Sequence, residues 1–268
     1  MKKLSTLLVF ICLMAMVSNS TALAQASCVG TATLNVTINT CVTGELVKAT
    51  ALLQGAYSTG GQMQVSSGFF NQIPLTQPYQ SAPWGYGGSE SIASRPANMI
   101  DWVLLEVYNA ADTSLLETKA ALLLNNGSIV DVSYISNPTV GGVYFQSVVA
   151  NSAYYLVVRH RNHMAIISRT TVTLPNAGAY NFTNFNNVMG GAPQVANMGS
   201  GYYALLAGDY SANGIISVVD YNGYAQLPLP PPNSYVDNDF NLDANVTTAD
   251  FNLYRPNSSA IGMPAIRY

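Results

Sequence analysis

The sequence predicts a mainly β protein: an antiparallel β-sandwich followed by a small loop-helix module near the C-terminus. Three observations predict it. Between Glu45 and about Phe182, apolar or alternating runs of strand length are separated by Gly, Pro and Asn, the punctuation of an all-β chain. Charged residues supply only 9% of the chain, against about 25% in an average protein. Asn, Ser, Thr, Gly and Tyr take their place, a composition that suits extracellular β proteins better than cytosolic enzymes. Beyond residue 200, an acidic twelve-residue pattern occurs twice, each time running into a helix-start signal.

Residues 1–24 carry the zones of a secretory signal peptide. Lys2 and Lys3 are the basic start, residues 4–16 an apolar run too short to span a bilayer, and Ala22-Leu23-Ala24 a small-x-small cleavage site. Residues 25–200 are the expected β-sandwich and residues 201–268 the module. No later apolar run reaches the roughly 18 residues that cross a membrane, so the chain is expected to be secreted or held at the cell surface without a membrane span. Loss of Lys2 and Lys3 takes 10 basic residues to 8, against 13 acidic ones. With no basic patch, nucleic acid is not an expected partner.

The first predicted strand is residues 31–40, where Ala32, Leu34, Val36 and Ile38 alternate with polar residues. Cys28 and Cys41 flank it, in a compartment that favours disulfides. An extended segment of this length reaches roughly 40 Å, whereas a disulfide needs Cα atoms about 4.4–6.8 Å apart. Two readings stay open: a hairpin closed by a Cys28–Cys41 disulfide, or an extended edge strand, donated or paired between chains, with cysteines that bond elsewhere.

The body follows. Residues 46–53 form one strand. "MIDWVLLEVY" (residues 99–108) is the strongest, with Ile100, Trp102, Leu104, Glu106 and Tyr108 on one face. Residues 118–124 and 128–135 flank Asn126-Gly127, a hairpin signal. "AYYLVVRHRNHMAIIS" (residues 153–168) and residues 177–185 complete the set. Residues 58–95, rich in Gly, Pro, Gln and Tyr, are expected to be a long ordered surface loop. Both histidines lie in Arg159-His160-Arg161-Asn162-His163. Three apart on a strand, His160 and His163 would point to opposite faces. A structural role is therefore expected for them, pairing with loop carbonyls or with acids such as Asp101 or Asp131. The motifs of serine hydrolases, zincins, P-loops and dinucleotide folds are absent from the sequence. Glu90, Asp101, Glu106, Glu117 and Asp131 are expected to be structural, and no enzyme activity is expected.

"LLQGAYSTGGQM" (residues 52–63), "IPLTQPY" (residues 73–79), "IDWVLLEVYNAADTSLLETKAALL" (residues 100–123) and "YYLVVRHRNHMAIIS" (residues 154–168) resemble a haemagglutinin-like β domain of secreted Bacteroidota proteins, which usually precedes a dockerin-like segment. The Arg-His-Arg-Asn-His motif is the most specific mark. The resemblance implies an extracellular setting and brings no catalytic residues.

The acidic pattern is "DYSANGIISVVD" (residues 209–220), repeated as "DFNLDANVTTAD" (residues 239–250). In a calcium loop, oxygen ligands stand at positions 1, 3, 5, 7, 9 and 12, with a sharp turn at 6. The first copy offers Asp209, Ser211, Asn213, the carbonyl of Ile215, Ser217 and Asp220, with Gly214 at the turn. The second offers Asp239, Asn241, Asp243, the carbonyl of Asn245, Thr247 and Asp250, with Ala244 at the turn. Ile216 and Val246 hold the apolar eighth position. Ser217 and Thr247 begin capping boxes closed by Asp220 and Asp250. Six aspartates and no Lys or Arg lie between residues 209 and 250. Their mutual repulsion is what a divalent cation removes, so two Ca²⁺ ions are expected. Polar turns that cap two helices would explain the capping boxes but not positions 1, 3 and 5 in both copies.

Duplicated loop-helix units of this kind resemble a type I dockerin. The resemblance implies a cohesin partner. Positions 10 and 11, which help choose that partner, are Val218-Val219 and Thr248-Ala249, more apolar than usual and different between the copies. Docking of the module onto its own β domain, with Tyr202, Tyr203, Leu205 and Leu206 at the seam, is the alternative. Non-enzymatic adhesion or surface assembly is the expected function, with an extracellular protein, a glycan or a second copy of the chain as partner. Two other functions stay open: a fibre subunit that donates residues 31–40 to a neighbour's sheet, and a carbohydrate-active or carbohydrate-binding protein that stacks sugars on Trp84-Gly85-Tyr86.

Overall fold

A computed structural model describes residues 44–139 and 141–267. The signal peptide expected over residues 1–24, Cys28, Cys41 and the strand expected over residues 31–40 lie outside the described residues. With 31% strand and 16% helix, the protein is mainly β. Among the described residues no helix is long and apolar enough to cross a membrane. Residues 42–268 make one compact unit, so the acidic segment folds into the same body as the sheet.

The sheet is built around β3 (Met99–Asn109), which pairs antiparallel with β4 (Leu115–Leu124) on one side and β7 (Ser152–His160) on the other. Beyond β4 come β5 (Ser128–Val130), β2 (Ala49–Thr50) and β10 (Tyr180–Asn181). Beyond β7 comes β8 (His163–Ile167), and β9 (Val172–Leu174) pairs with the start of β7. Asn126-Gly127 makes the expected turn between β4 and β5, with Gly127 at φ +83°. β1 (Glu45–Val47) with β6 (Val143–Phe145), and β11 (Val195–Gly199) with β12 (Tyr202–Leu205), form two small sheets.

In place of two stacked sheets, a single eight-stranded sheet curls on itself. The segment from β12 onward links the chain just after β2 to the end strand β8. Leu205 N–H donates to the Leu52 carbonyl at 2.8 Å, and its own carbonyl accepts from Gln54 N–H at 3.1 Å. Met164 N–H in β8 donates to the Leu206 carbonyl at 2.8 Å. These bonds satisfy backbone groups of Leu52, Gln54 and Met164 that would otherwise stay open. The curl also explains β3, of which the sequence predicts one buried face. All of its residues but the last are buried. On one side Trp102 donates its indole N–H to the Pro74 carbonyl and accepts from the Tyr79 hydroxyl at its own carbonyl. On the other, Asp101 accepts from the Tyr235 hydroxyl at 2.7 Å.

Residues 58–95 are mostly irregular, as expected, apart from the short helix α1 (Ser67–Gln72), capped by Ser66. Their hold on the core is apolar: Phe69, Ile73 and Tyr79 are fully buried. The largest departure is in residues 153–168. The single run expected there is a hairpin, β7–β8, that turns at Arg161-Asn162 and pairs His160 with His163. The two histidines lie side by side, with ring centroids 4.9 Å apart, not on opposite faces. The pairing of His160 with Asp101 is as expected. Asp131 instead caps a short 3-10 turn over Val132–Ile135.

Candidate metal centre

Each acidic loop leads into a helix, α2 (Val218–Tyr224) after the first and α3 (Thr248–Asn257) after the second. Ser217 and Thr247 occupy the N-caps. In both copies the cap hydroxyl accepts a helix N–H, and the aspartate three residues on accepts the cap's own N–H, so both capping boxes are formed.

The two loops share one hydrogen-bond scheme. The position-1 carboxylate accepts from the position-6 N–H: Asp209 from Gly214 at 3.0 Å, Asp239 from Ala244 at 2.7 Å. The position-5 side chain accepts from the position-7 N–H: Asn213 from Ile215 and Asp243 from Asn245, both at 2.8 Å. The position-12 carboxylate accepts from the N–H groups at positions 3 and 9: Asp220 from Ser211 and Ser217, Asp250 from Asn241 and Thr247. Positions 4 and 6 take the left-handed conformation in both: Ala212 and Gly214 at φ +53° and +79°, Leu242 and Ala244 at +57° and +74°. Asp209, Asp220, Asp239 and Asp250 are buried, while Ser211, Asn213, Ile215, Ser217, Asn241, Asp243 and Asn245 are half-buried and Thr247 is exposed.

The turn residues differ for a packing reason. A Cβ at Gly214 would come within 2.7 Å of the Arg267 side chain. Ala244 instead packs its methyl, 1% exposed, into the main core beside Leu242. A left-handed alanine costs roughly 1–2 kcal/mol, and burial of one methyl returns about 0.8 kcal/mol.

A relation that the spacing alone does not reveal links the copies. Four residues after each terminal aspartate stands a tyrosine, and each reaches across to the other loop. Tyr224 Oη donates to the Thr247 carbonyl at 2.8 Å and Tyr254 Oη to the Ser217 carbonyl at 2.9 Å. Tyr221 and Phe251 pack between them. The common spacing was visible in the repeat; the exchange of partners was not.

Charge sets the chemistry. Burial, with Asp220 nearby, pushes the Asp209 carboxyl up to about 7. Burial likewise pushes Asp239 up to about 7 despite the Arg161 guanidinium, and raises Asp250. Asp209 Oδ1 is fully buried and, among the described residues, accepts no hydrogen bond. Its neighbours Ser211 and Asn213 are oxygen donors of the kind hard cations take. Among the described residues no three His, Cys, Asp or Glu side chains gather as a metal group. Any cation here would rest on amide, hydroxyl and carbonyl oxygens as much as on carboxylates.

No protein-family model, curated protein or solved structure matches this chain.

The β7–β8 hairpin is the second buried polar centre. His163 Nε2 accepts from Gly55 N–H at 3.1 Å, so its proton sits on Nδ1, 2.7 Å from Asn162 Oδ1 and 3.1 Å from His160 Nδ1. His160 Nε2–H donates to Asp101 at 3.1 Å. Burial lowers both histidines, His163 well below the ordinary value, although the Asp101 hydrogen bond works against this at His160. Burial alone would raise Asp101, but Arg161 and the His160 hydrogen bond hold it below the usual carboxylate range. Arg159 pairs with Glu106 at 2.7 Å. Every ring nitrogen of the pair has a protein partner, which agrees with the expected structural role. Of the remaining acids, Glu117 accepts from Ser147 N–H and pairs with Lys119, and Glu90 accepts from the Tyr86 hydroxyl.

Proposed function

We propose that this chain is a secreted, non-enzymatic protein whose dockerin-like C-terminal module binds two Ca²⁺ ions, and that the calcium-stabilised body acts in extracellular adhesion or surface assembly. The observation that carries this reading is the repetition of one loop geometry at matched positions. It comes with a buried Asp209 oxygen that has no hydrogen-bond partner among the described residues. Asp209, Ser211, Asn213, the Ile215 carbonyl, Ser217 and Asp220 would hold one ion. Asp239, Asn241, Asp243, the Asn245 carbonyl, Thr247 and Asp250 would hold the other. The ions would supply the positive charge that the buried aspartates otherwise lack.

Docking of the module on its own sheet is favoured over cohesin capture. Leu206, Ile216, Phe240 and Tyr254 share a buried cluster with Met164 of β8, so this side of the module is occupied. Val218 and Val219, at positions 10 and 11, are exposed and form the face left for a partner.

The test is a calcium titration of the secreted chain by calorimetry, paired with thermal unfolding before and after chelation. Two binding sites and a lower melting temperature after chelation are expected. Absence of calcium binding refutes the reading.

A further inference from the structure

We propose that the β7–β8 hairpin is a positioning element of the second calcium loop, so that the sheet, in addition to the loop's own hydrogen bonds, holds that site in shape. The inference rests on the calcium reading above and goes beyond it by assigning a role to the Arg-His-Arg-Asn-His motif.

Asn162 is fully buried at the hairpin turn. Its Nδ2 donates to the Asp239 carbonyl at 2.7 Å, and its Oδ1 accepts from His163. Both ends of the amide are fixed, and the first ligand of the second loop is held from behind. Arg161, equally buried, holds the chain that leads into that ligand. Its Nη1 donates to the Val236 carbonyl and lies 3.4 Å from Asp237 Oδ1, its Nε bonds Asp101, and its guanidinium lies 4.2 Å from the Tyr235 ring centroid. Gly55, held by His163, sits so close to the loop that a Cβ would fall 1.8 Å from the Phe240 carbonyl. The first loop is attached differently. There the Asn162 side chain makes no bond to the loop among the described residues; its backbone carbonyl accepts from Gly208 N–H at 3.0 Å, and Met164 packs in one cluster with Ile216. Truncation of the Asn162 side chain therefore removes a hold on the second loop and none on the first. Partners that orient metal ligands from outside the coordination shell typically contribute 10–100-fold to affinity.

The experiment is calcium calorimetry on the full secreted chain. Asp209→Asn and Asp243→Asn assign the two sites, and Asn162→Ala is then measured. The expected result is a 10–100-fold weaker Asp243-dependent site and an Asp209-dependent site unchanged within about threefold. Equal affinities in Asn162→Ala and the parent, or an equal loss at both sites, overturn the proposal and leave the calcium reading intact. A parent chain that binds no calcium overturns both, before any hairpin variant is made. A second measurement does not depend on the folding of Asn162→Ala. By reciprocity, calcium in the second loop must stabilise the hairpin. In Asp209→Asn, calcium should slow amide exchange at Gly55 and Asn162, and in Asp243→Asn this slowing should be lost. Exchange there that ignores calcium in both variants overturns the proposal.

Discussion

At the scale of single residues, the protein is organised by ionisable groups that burial has moved in opposite directions. Asp209 and Asp239 stand near 7 against an unfolded value of about 3.9, while His160 and His163 lie below the unfolded value of about 6.5. Without calcium, the folded aspartates bind protons before the unfolded ones do, so falling pH between about 7 and 4 stabilises the fold. The histidines act in the reverse sense: below about 6.5 the unfolded state takes up protons first and gains. Calcium should remove the aspartate contribution and leave that of the histidines. The stabilisation that calcium confers is therefore expected to shrink between pH 8 and pH 5.5, read from denaturant melts with calcium and with chelator. An equal increment at both pH values would contradict the assignment. Ala244 is the second residue-scale case. The sequence marks it as a strained substitute for glycine but cannot show that its methyl reaches the core. Ala244→Gly should relieve roughly 1–2 kcal/mol of backbone strain and forfeit the buried methyl and chain stiffness. A net change within about 1 kcal/mol is expected, measured as the shift in urea midpoint.

At the scale of elements, what was legible followed from local rules. The strand over residues 99–108, the Asn126-Gly127 turn and both capping boxes all appear where propensity and spacing put them. The β7–β8 hairpin was not legible, because Arg161-Asn162 is no turn dipeptide. Its bend is held by partners distant in sequence, Asp101, Val236 and Asp239. Replacing both His160 and His163 with alanine leaves Asp101 short of a donor and Gly55 N–H without its acceptor. Each buried orphan costs about 1–3 kcal/mol, so a clear fall in melting temperature is expected even with calcium saturating. An unchanged melting temperature would show that water replaces the rings. The crossed tyrosines give a finer test. Tyr224→Phe and Tyr254→Phe each remove one hydroxyl donor and should each cost about 1 kcal/mol, with Tyr254 the larger because it is the more buried.

At the scale of the whole molecule, the sequence suggests a seam near residue 200 between a β domain and a module. The described chain has no such division, since Leu242 and Ala244 of the second loop belong to the same core as Trp102 and Leu122. Composition shifts at the acidic segment because side-chain oxygens there accept the loops' own N–H groups, and that shift reads as a boundary even where packing is continuous. Residues 42–268 should therefore unfold in a single transition. A fragment of residues 209–268 should show little helix by circular dichroism even with calcium present, having lost the surfaces that bury Ile216, Phe240 and Leu242. A helical, cooperatively melting fragment would restore the two-domain view.

The closing of the sheet by residues 205–207 fixes an order of events during biosynthesis. Leu52 and Met164 wait for Leu205 and Leu206, at and just after the end of a strand that begins 35 residues after the end of β8. Until they arrive, the backbone at Leu52–Gln54, the β8 edge and an unfinished core stand exposed to neighbouring chains, the condition under which strands pair wrongly. Contacts this distant also slow the search for the native pairing. The nascent protein should therefore depend on holding factors, and truncations that stop before residue 205 should aggregate where the longer chain stays in solution.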